Sequence, residues 1–541
     1  MVEYLPAEHI ARLTESTQKP MVWLTRIALL IHIRNPFLYM DLRILSPKSE
    51  KNSPSIWLPF FVHQRIPVNF AGCDGRSSDY PSNHHFIIFG FTTMKAPIHI
   101  NVSFAFLAFT LFSIVVSGAN AADARNTYAF HNQRTPGSVD QVAVLLEVGG
   151  ETAFLQKGKP QRENLGIVCN LEYLEKTLSD ADDASGKLRG IRKYQKAAAA
   201  VKVGDERFEP SLQPRHSLVV VEANEQEALL YSPSGSLSRE ELDAIDVHFN
   251  TLLLDRLLPA GPVVVGQSWP PEKKLLALLL GLDEVAESTV EAKLTEVTKI
   301  VARFELNGRV EGKVHGAATD IDLKGRYRFD LRTKRIDWVG MLIKENRKTS
   351  EIADGLEVVS RLQITIKPAE ETNELTEAAV AKLDLTPPDA MLLSYTSPGG
   401  DFRCRYDRRW FVDNASGVLR LMDAGILVGQ CNPAVLPKCE PDRLVSLEDF
   451  QEDVRKALGD NFGEFVAARQ SVNAGGLRVL RVVAEGAVPS GTDKVDIRWI
   501  YYHLAHRDGR QAALTFTIEQ EHLDRFADAD ATIVASLEFV E

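Results

Sequence analysis

The sequence predicts an α+β chain: a large, mostly antiparallel β-sheet domain with a helical insertion, followed by a smaller domain of strands and helices. Three observations carry this reading. Between Val290 and Leu331 apolar and polar residues alternate, which is the period of antiparallel strands whose sheet is solvated on one face. Between Ser238 and Leu282 the alternation gives way to capped, Leu-rich runs of helical type. After Pro388, short strand-like runs and turn signals enclose two helical stripes.

In chain order, the first feature is a segment that resembles a secretory signal. Met94 to Ala124 reads MKAPIHINVSFAFLAFTLFSIVVSGANAADA. Lys95 supplies the positive start, Val102 to Val116 an uncharged run, and Ala119-Asn120-Ala121 a small-x-small cleavage site. At 1.5 Å per residue that run covers roughly 22 Å, short for a bilayer core of about 30 Å. A membrane anchor is the competing reading. Residues 1–93 show no sustained period, so translation is expected to start at Met94 and residues 94–121 to be removed. The protein is then exported, periplasmic or secreted, and meets the membrane only transiently through the signal.

The mature part divides into a β-rich domain at 122–369, a linker at 370–388 and a second domain at 389–541. Val142 to Val148 opens the first sheet and Gly149-Gly150 closes that run. Glu163 to Tyr173, Leu188 to Val203 and Ser217 to Ala223 continue it, with Ala197 to Ala200 also compatible with a helix. Ser238-x-x-Glu241 is a capping box that opens a helix. Thr251 to Leu258 and Glu272 to Leu282 follow as apolar runs. Four alternating strands then lead to Ile336 to Ile343 and Leu356 to Ile366. Glu370 to Pro388, rich in Glu, Ala and Thr, reads as the linker. In the second domain, Ser446 caps a helix with the stripe Leu447, Phe450, Val454 and Leu458. Ile497 to Leu504 and Ala512 to Ile518 form a hairpin around Arg507-Asp508-Gly509.

Composition excludes some partners. The chain carries −11, with 45% hydrophobic and 25% charged residues. Ten Lys/Arg and seven Asp/Glu precede Ala122, so the rest is near −14. That argues against nucleic acid or an anionic membrane as the main partner. Cys73 falls in the leader. Of Cys169, Cys404, Cys431 and Cys439, the last two bracket NPAVLPK, a Pro-bearing loop, and are the expected disulfide in an oxidising compartment.

YTSPGGDFRCRYDRRW, then a helix, then WIYYHLAHRDGRQAALTFTIE and a last SLEF strand, resemble the PsbP/Mog1-like α/β sandwich over Asp389 to Glu541. The resemblance implies a sheet with helices on its faces and a role in binding or assembly more often than catalysis. LRGIRKYQKAAAAVKVG, SPSGSLSREELDAIDV, LLLDRLLP and VGQSW are similar to phrases of an uncharacterised family of exported, planctomycete-type bacterial proteins. That family implies no activity.

No G-x-S-x-G, P-loop, Rossmann fingerprint or H-E-x-x-H is present, so no catalytic residue, cofactor or metal is assigned. Gly266-Gln267-Ser268-Trp269 reads as a strand end with Trp269 in the core. His503 and His506, three apart on a strand, point to opposite faces. Arg403, Arg405, Arg408 and Arg409 beside Trp410 form the candidate partner surface, by cation–π and bidentate contacts to an acidic protein. The expected function is an exported, non-enzymatic binding or assembly protein. The alternatives are a carrier of a small apolar ligand in the first sheet, or a hydrolase without a recognisable motif.

Overall fold

The computed structural model describes residues 126–132, 134–156, 159–179, 187–349, 353–413, 417–440, 444–490 and 493–540. The leader, the signal-like segment and Cys73 lie outside the described residues.

The first sheet contains thirteen strands. They are β1 (Val139–Gln156), β2 (Lys159–Thr177), β3 (Leu188–Val203), β4 (Glu206–Phe208), β5 (Leu218–Ala223), β6 (Ala228–Tyr231) and β7 (Ser268–Trp269). β8 (Glu284–Ser288), β9 (Glu291–Val297), β10 (Val301–Val314), β11 (Ala317–Asp330), β12 (Arg335–Arg347) and β13 (Gly355–Pro368) complete it. The order along the sheet is β6-β5-β3-β2-β1-β13-β12-β11-β10-β9-β7, with β4 on β3 and β8 on β10. Alternation explains the pairing. Val142, Val144, Leu146 and Val148 point to the buried face, while Ala143, Leu145 and Glu147 face solvent. Ala197 to Ala200 belong to β3 and pair with Leu171 to Val168, so the helical option there loses to the ladder.

Between β6 and β8 the chain crosses the buried face. α1 (Arg239–Ile245) begins at the expected capping box: Ser238 Oγ accepts from Glu241 N at 3.1 Å, and Ser238 N donates to Glu241 Oε2 at 2.9 Å. Thr251–Leu257 is a 3₁₀ helix. α2 (Lys273–Leu280) ends at Gly281, whose φ of 64° suits the left-handed cap. Tyr173 on β2 meets Thr251, and the Tyr327 hydroxyl on β11 donates to the Leu257 carbonyl at 3.0 Å. Those strands are four spacings apart, about 19 Å if flat. The 3₁₀ helix spans ~12 Å, and the two tyrosine side chains reach across the rest.

The region 370–388 packs on this sheet. Leu375 and Val380, the latter in α3 (Glu377–Val380), join Val139, Leu174 and Ile191 in a small apolar cluster.

β14 (Leu393–Thr396), β15 (Phe402–Tyr406) and the final β23 (Glu538–Phe539) make a three-stranded sheet. The seven-stranded sheet contains β16 (Trp410–Asp413), β17 (Val418–Asp423), β18 (Ile426–Leu436), β19 (Phe462–Val472), β20 (Arg478–Ser490), β21 (Asp493–Ala505) and β22 (Gln511–Glu519). Its order is β16-β17-β18-β22-β21-β20-β19, antiparallel at each step. α4 (Leu447–Leu458) lays Phe450, Val454 and Leu458 on Leu480, Val482 and Ala484 of β20, as its stripe predicts. α5 (Leu523–Phe526) and α6 (Ala531–Ser536) are short. Tyr395, Phe402 and Trp410 share one apolar cluster with Leu237 and Leu242, so a continuous core joins this part to the first sheet. Ser394 N also donates to Leu237 O at 2.8 Å.

The α+β expectation is therefore corrected: the chain is mainly antiparallel β. The expected helical insertion is two short helices and a 3₁₀ turn lying on the sheet, not a helical layer. The expected α/β sandwich is likewise a seven-stranded antiparallel sheet with one helix of twelve residues. The reason is length. Apolar runs of seven or eight residues can seat on a sheet but cannot build a layer of their own.

Candidate functional site

A buried polar group lies under the 3₁₀ segment, on the inner face of the large sheet. Glu175 on β2 and Arg192 on β3 are register partners. Arg192 Nε donates to Glu175 Oε2 at 2.8 Å, and the Thr251 hydroxyl donates to the same oxygen at 2.6 Å. Arg192 Nη2 donates to Asn250 Oδ1 at 2.8 Å and to Thr251 Oγ1 at 3.0 Å. Its guanidinium lies 4.8 Å from the centre of the Tyr173 ring. Asn250 also caps the 3₁₀ helix, accepting from Leu252 N at 3.2 Å.

Arg134, from the segment before β1, donates to Glu175 Oε1 at 3.3 Å and to the Thr251 carbonyl at 3.2 Å. Asn132 Nδ2 donates to Asp255 Oδ2 at 2.5 Å. Asp140 pairs with Arg335 and lies 3.5 Å from Arg134 Nε. Three arginines thus face three carboxylates. Glu175, Asp140, Arg192 and Thr251 are all buried, so this balance is required rather than decorative. Burial pushes the Glu175 carboxyl up, but Arg192 and Arg134 outweigh it and hold its pKa below the ordinary value. Burial wins at Asp140 and Asp255, which are raised despite Arg134. Upstream, His248 is lowered by burial, beside the buried Glu345–Arg347 pair of β12.

A second polar group sits where α1 meets β14 and β15. Arg239 Nε contacts Asp243 Oδ1 at 2.9 Å. Burial raises the Asp243 carboxyl to about 7, against the pull of Arg239 and with added repulsion from Asp246. A carboxyl near 7 suits acid–base work. Its charged surroundings are Arg239, Asp246 and Glu240, with Tyr406 also near it.

The arginine surface expected from the sequence is not assembled. Trp410 is fully buried against Phe516 and Phe526, and its Nε1 donates to Ala529 O at 3.2 Å. Arg408 turns inward, donating to Met391 O at 2.9 Å and Leu230 O at 2.6 Å. Arg403 pairs with Glu538 at 2.5 Å, Arg405 with Asp389, and Arg409 with Asp407 at 2.9 Å. Strand alternation is the reason: Trp410 begins β16 facing the core and is not available beside the exposed arginines.

Cys431 and Cys439 are free thiols, as are Cys169 and Cys404. The expected Pro-bearing loop is instead the end of β18. Pro433 fits there because β17 stops pairing at Cys431, so its missing N–H faces no strand on that side. Cys431 pairs with Phe516, and Cys439 N donates to Gly509 O at 3.0 Å at the far turn. Five strand positions, ~16 Å, already separate Phe516 from Gln511, whereas a disulfide needs Cα atoms within about 7 Å. Gly509 itself has φ of 92°, and a Cβ there would meet Cys439 O.

His503 is buried with Nε2 2.8 Å from Gln511 Oε1, while His506 Nδ1 lies 2.9 Å from Asp508, so the two do not converge. Trp269 packs against the apolar cluster and donates to Leu257 O at 3.2 Å. Glu519, Glu521 and His522 bring ligand atoms within 4.8 Å of one another near the end of β22, and no second feature there points to an ion. Among the described residues no helix is long and apolar enough to cross a membrane.

No family model and no curated protein matches the chain. Solved structures similar to it include OccK11 of Pseudomonas aeruginosa, at 9% identity, covering 72% of this chain and 98% of that one, TM-score 0.11. A LolA superfamily protein of Nitrosomonas europaea is 10% identical and covers 45% of this chain and 93% of its own, TM-score 0.11. The outer membrane protein OprD of Pseudomonas aeruginosa is 6% identical, covering 76% and 98%, TM-score 0.10. At such TM-scores the matches define no shared fold.

Proposed function

We propose that this is an exported, non-enzymatic binding protein that takes a small apolar ligand against the inner face of the large sheet. The observation that carries the reading is the contrast within that face. Its side chains are apolar from Val142 on β1 to Ile364 on β13, yet the segment covering them is fastened through charge. The covering segment supplies neutral Asn250 and Thr251 to the buried charges Arg192 and Glu175. We read these bonds as the part that releases, since each can be exchanged for bonds to water. Leu252, Leu253, Leu254 and Leu257 fill the closed state, and an apolar ligand would take their place. The signal-like segment supports delivery to the cell envelope, with cleavage near Ala121.

Titration with N-phenyl-1-naphthylamine, and mass spectrometry of solvent extracts from protein purified from the exported fraction, test the reading. Saturable uptake near one probe per chain, together with a co-purifying apolar compound, is the expected result. No uptake and a clean extract would overturn it.

A further inference from the structure

We propose that two copies of the protein associate through β19, edge to edge and antiparallel, with Glu464 of each copy opposite Arg469 of the other. β19 is the last strand of its sheet and pairs only with β20. Most of its eleven residues are exposed, including Val466 at 50% and Val472 at 69%. Such an edge carries unpaired backbone donors and acceptors, and natural proteins protect it with Lys, Pro, bulges or a covering element. β19 has two register shifts, at Phe462/Glu464 and Phe465/Ala467, and only the second falls between its charged residues. β19 contains neither Lys nor Pro.

The charges on it are misplaced for a lone chain. Glu464 lies opposite Glu485, and Arg469 opposite Arg481. Like charges directly opposite are unfavourable. Their neighbours are already engaged: Glu485 with Arg498 at 2.9 Å, and Arg481 with the Tyr502 hydroxyl at 2.8 Å. Glu464 and Arg469 have no ion-pair partner among the described residues.

The bulge decides the register. Residues five apart on a regular strand point to opposite faces. Here Val466 has no partner on β20, and the pairing steps from Phe465↔Ala484 to Ala467↔Val483. Glu464 and Arg469 therefore face residues four apart on β20, Glu485 and Arg481, and share one face. An antiparallel pair of β19 strands about a two-fold between Val466 and Ala467 sets Glu464 against Arg469 twice, each time on that common face. Without the bulge this register would place the two charges on opposite sides. The occupant is thus a second copy of this chain, chosen by a pattern complementary to itself.

Sedimentation velocity on the purified protein, up to ~100 µM, should show a reversible monomer–dimer equilibrium that weakens in high salt. Glu464→Arg and Arg469→Glu should each raise the dissociation constant about tenfold or more. Mixing those two variants should restore dimers, since one strand is then all positive and the other all negative. The double exchange Glu464→Arg/Arg469→Glu should also dimerise. A monomeric wild type at the highest concentration overturns the proposal, as does failure of the mixed variants to associate while both melt like the wild type.

Discussion

The large sheet and the seven-stranded sheet treat charge in opposite ways. The first gathers six charged side chains beneath the 3₁₀ segment, three of them buried, and pairs Glu175 and Asp140 with arginines while Asp255 takes a bond from Asn132. The second buries His503 and Arg420 and leaves Glu464 and Arg469 at its edge, each opposite its own sign. Burial explains the difference. A buried charge without a partner costs several kcal/mol, so the inner face tolerates no imbalance. An exposed like-charge pair costs a few tenths, so the edge can hold one and remain available to another chain.

The comparison breaks most visibly at Arg192. Arg192→Met should leave Glu175 short of its main cation and lower unfolding free energy by about 3–5 kcal/mol. Urea unfolding measures this. A loss below about 1 kcal/mol would mean that the network is not a coupled unit.

Asp243 sharpens it next. Its folded pKa is raised to about 7 from 3.8. Between those values the folded state binds the proton more tightly than the unfolded state. Stability should therefore fall as pH rises from about 4 to 7, by at most about 4 kcal/mol. Asp243→Asn should flatten that part of the profile. Identical profiles for the two proteins would show that the carboxyl is not held up.

His503 has the opposite sign. Its folded pKa is lowered to about 4 by burial, despite the Gln511 bond. The unfolded state binds the proton first, so stability should be lost as pH falls from about 6.5 towards 4, by at most about 3 kcal/mol. His503→Gln should remove that acid sensitivity, read by thermal melts at pH 4.5 and 7.5. The smallest effects belong to the edge. Glu464→Arg should change monomer stability by less than about 0.5 kcal/mol, because the side chain is exposed and Glu485 opposite it is already bonded to Arg498.

Legibility followed periodicity. Val290 to Leu331 could be placed because each inward side chain repeats at two, and Phe304, Ile321 and Tyr327 are buried as that pattern requires. Ser238 and Ser446 could be read as caps because capping is local. The Glu175–Arg192–Thr251 network could not be read, since it joins three elements that only the folded sheet brings together. Its one signal is Arg192 inside the strand-like run Leu188 to Val203; Glu175 lies two residues past the run Glu163 to Tyr173, on a strand that reaches Thr177. Trp410 was misplaced because its neighbouring arginines suggested a surface, while alternation along β16 turned it inward. Which strand forms an edge is a property of topology, and the sequence pattern predicts no strand over Phe462–Val472 at all.

The pairing of β1 with β13 also has a consequence in time. Asp140 meets Pro368, and Ala153 meets Gly355, so the central seam of the large sheet joins residues some two hundred positions apart. Seams of such high sequence separation form late, because loop closure must precede any gain from contact. A ribosome or a translocation channel delivers β1 long before β13. Until Pro368 has emerged, β1 and β2 form a long hairpin with an open edge and an uncovered apolar face. The nascent chain is therefore at its most vulnerable to aggregation midway through its own delivery, and its yield should depend on whatever shields that hairpin during the wait.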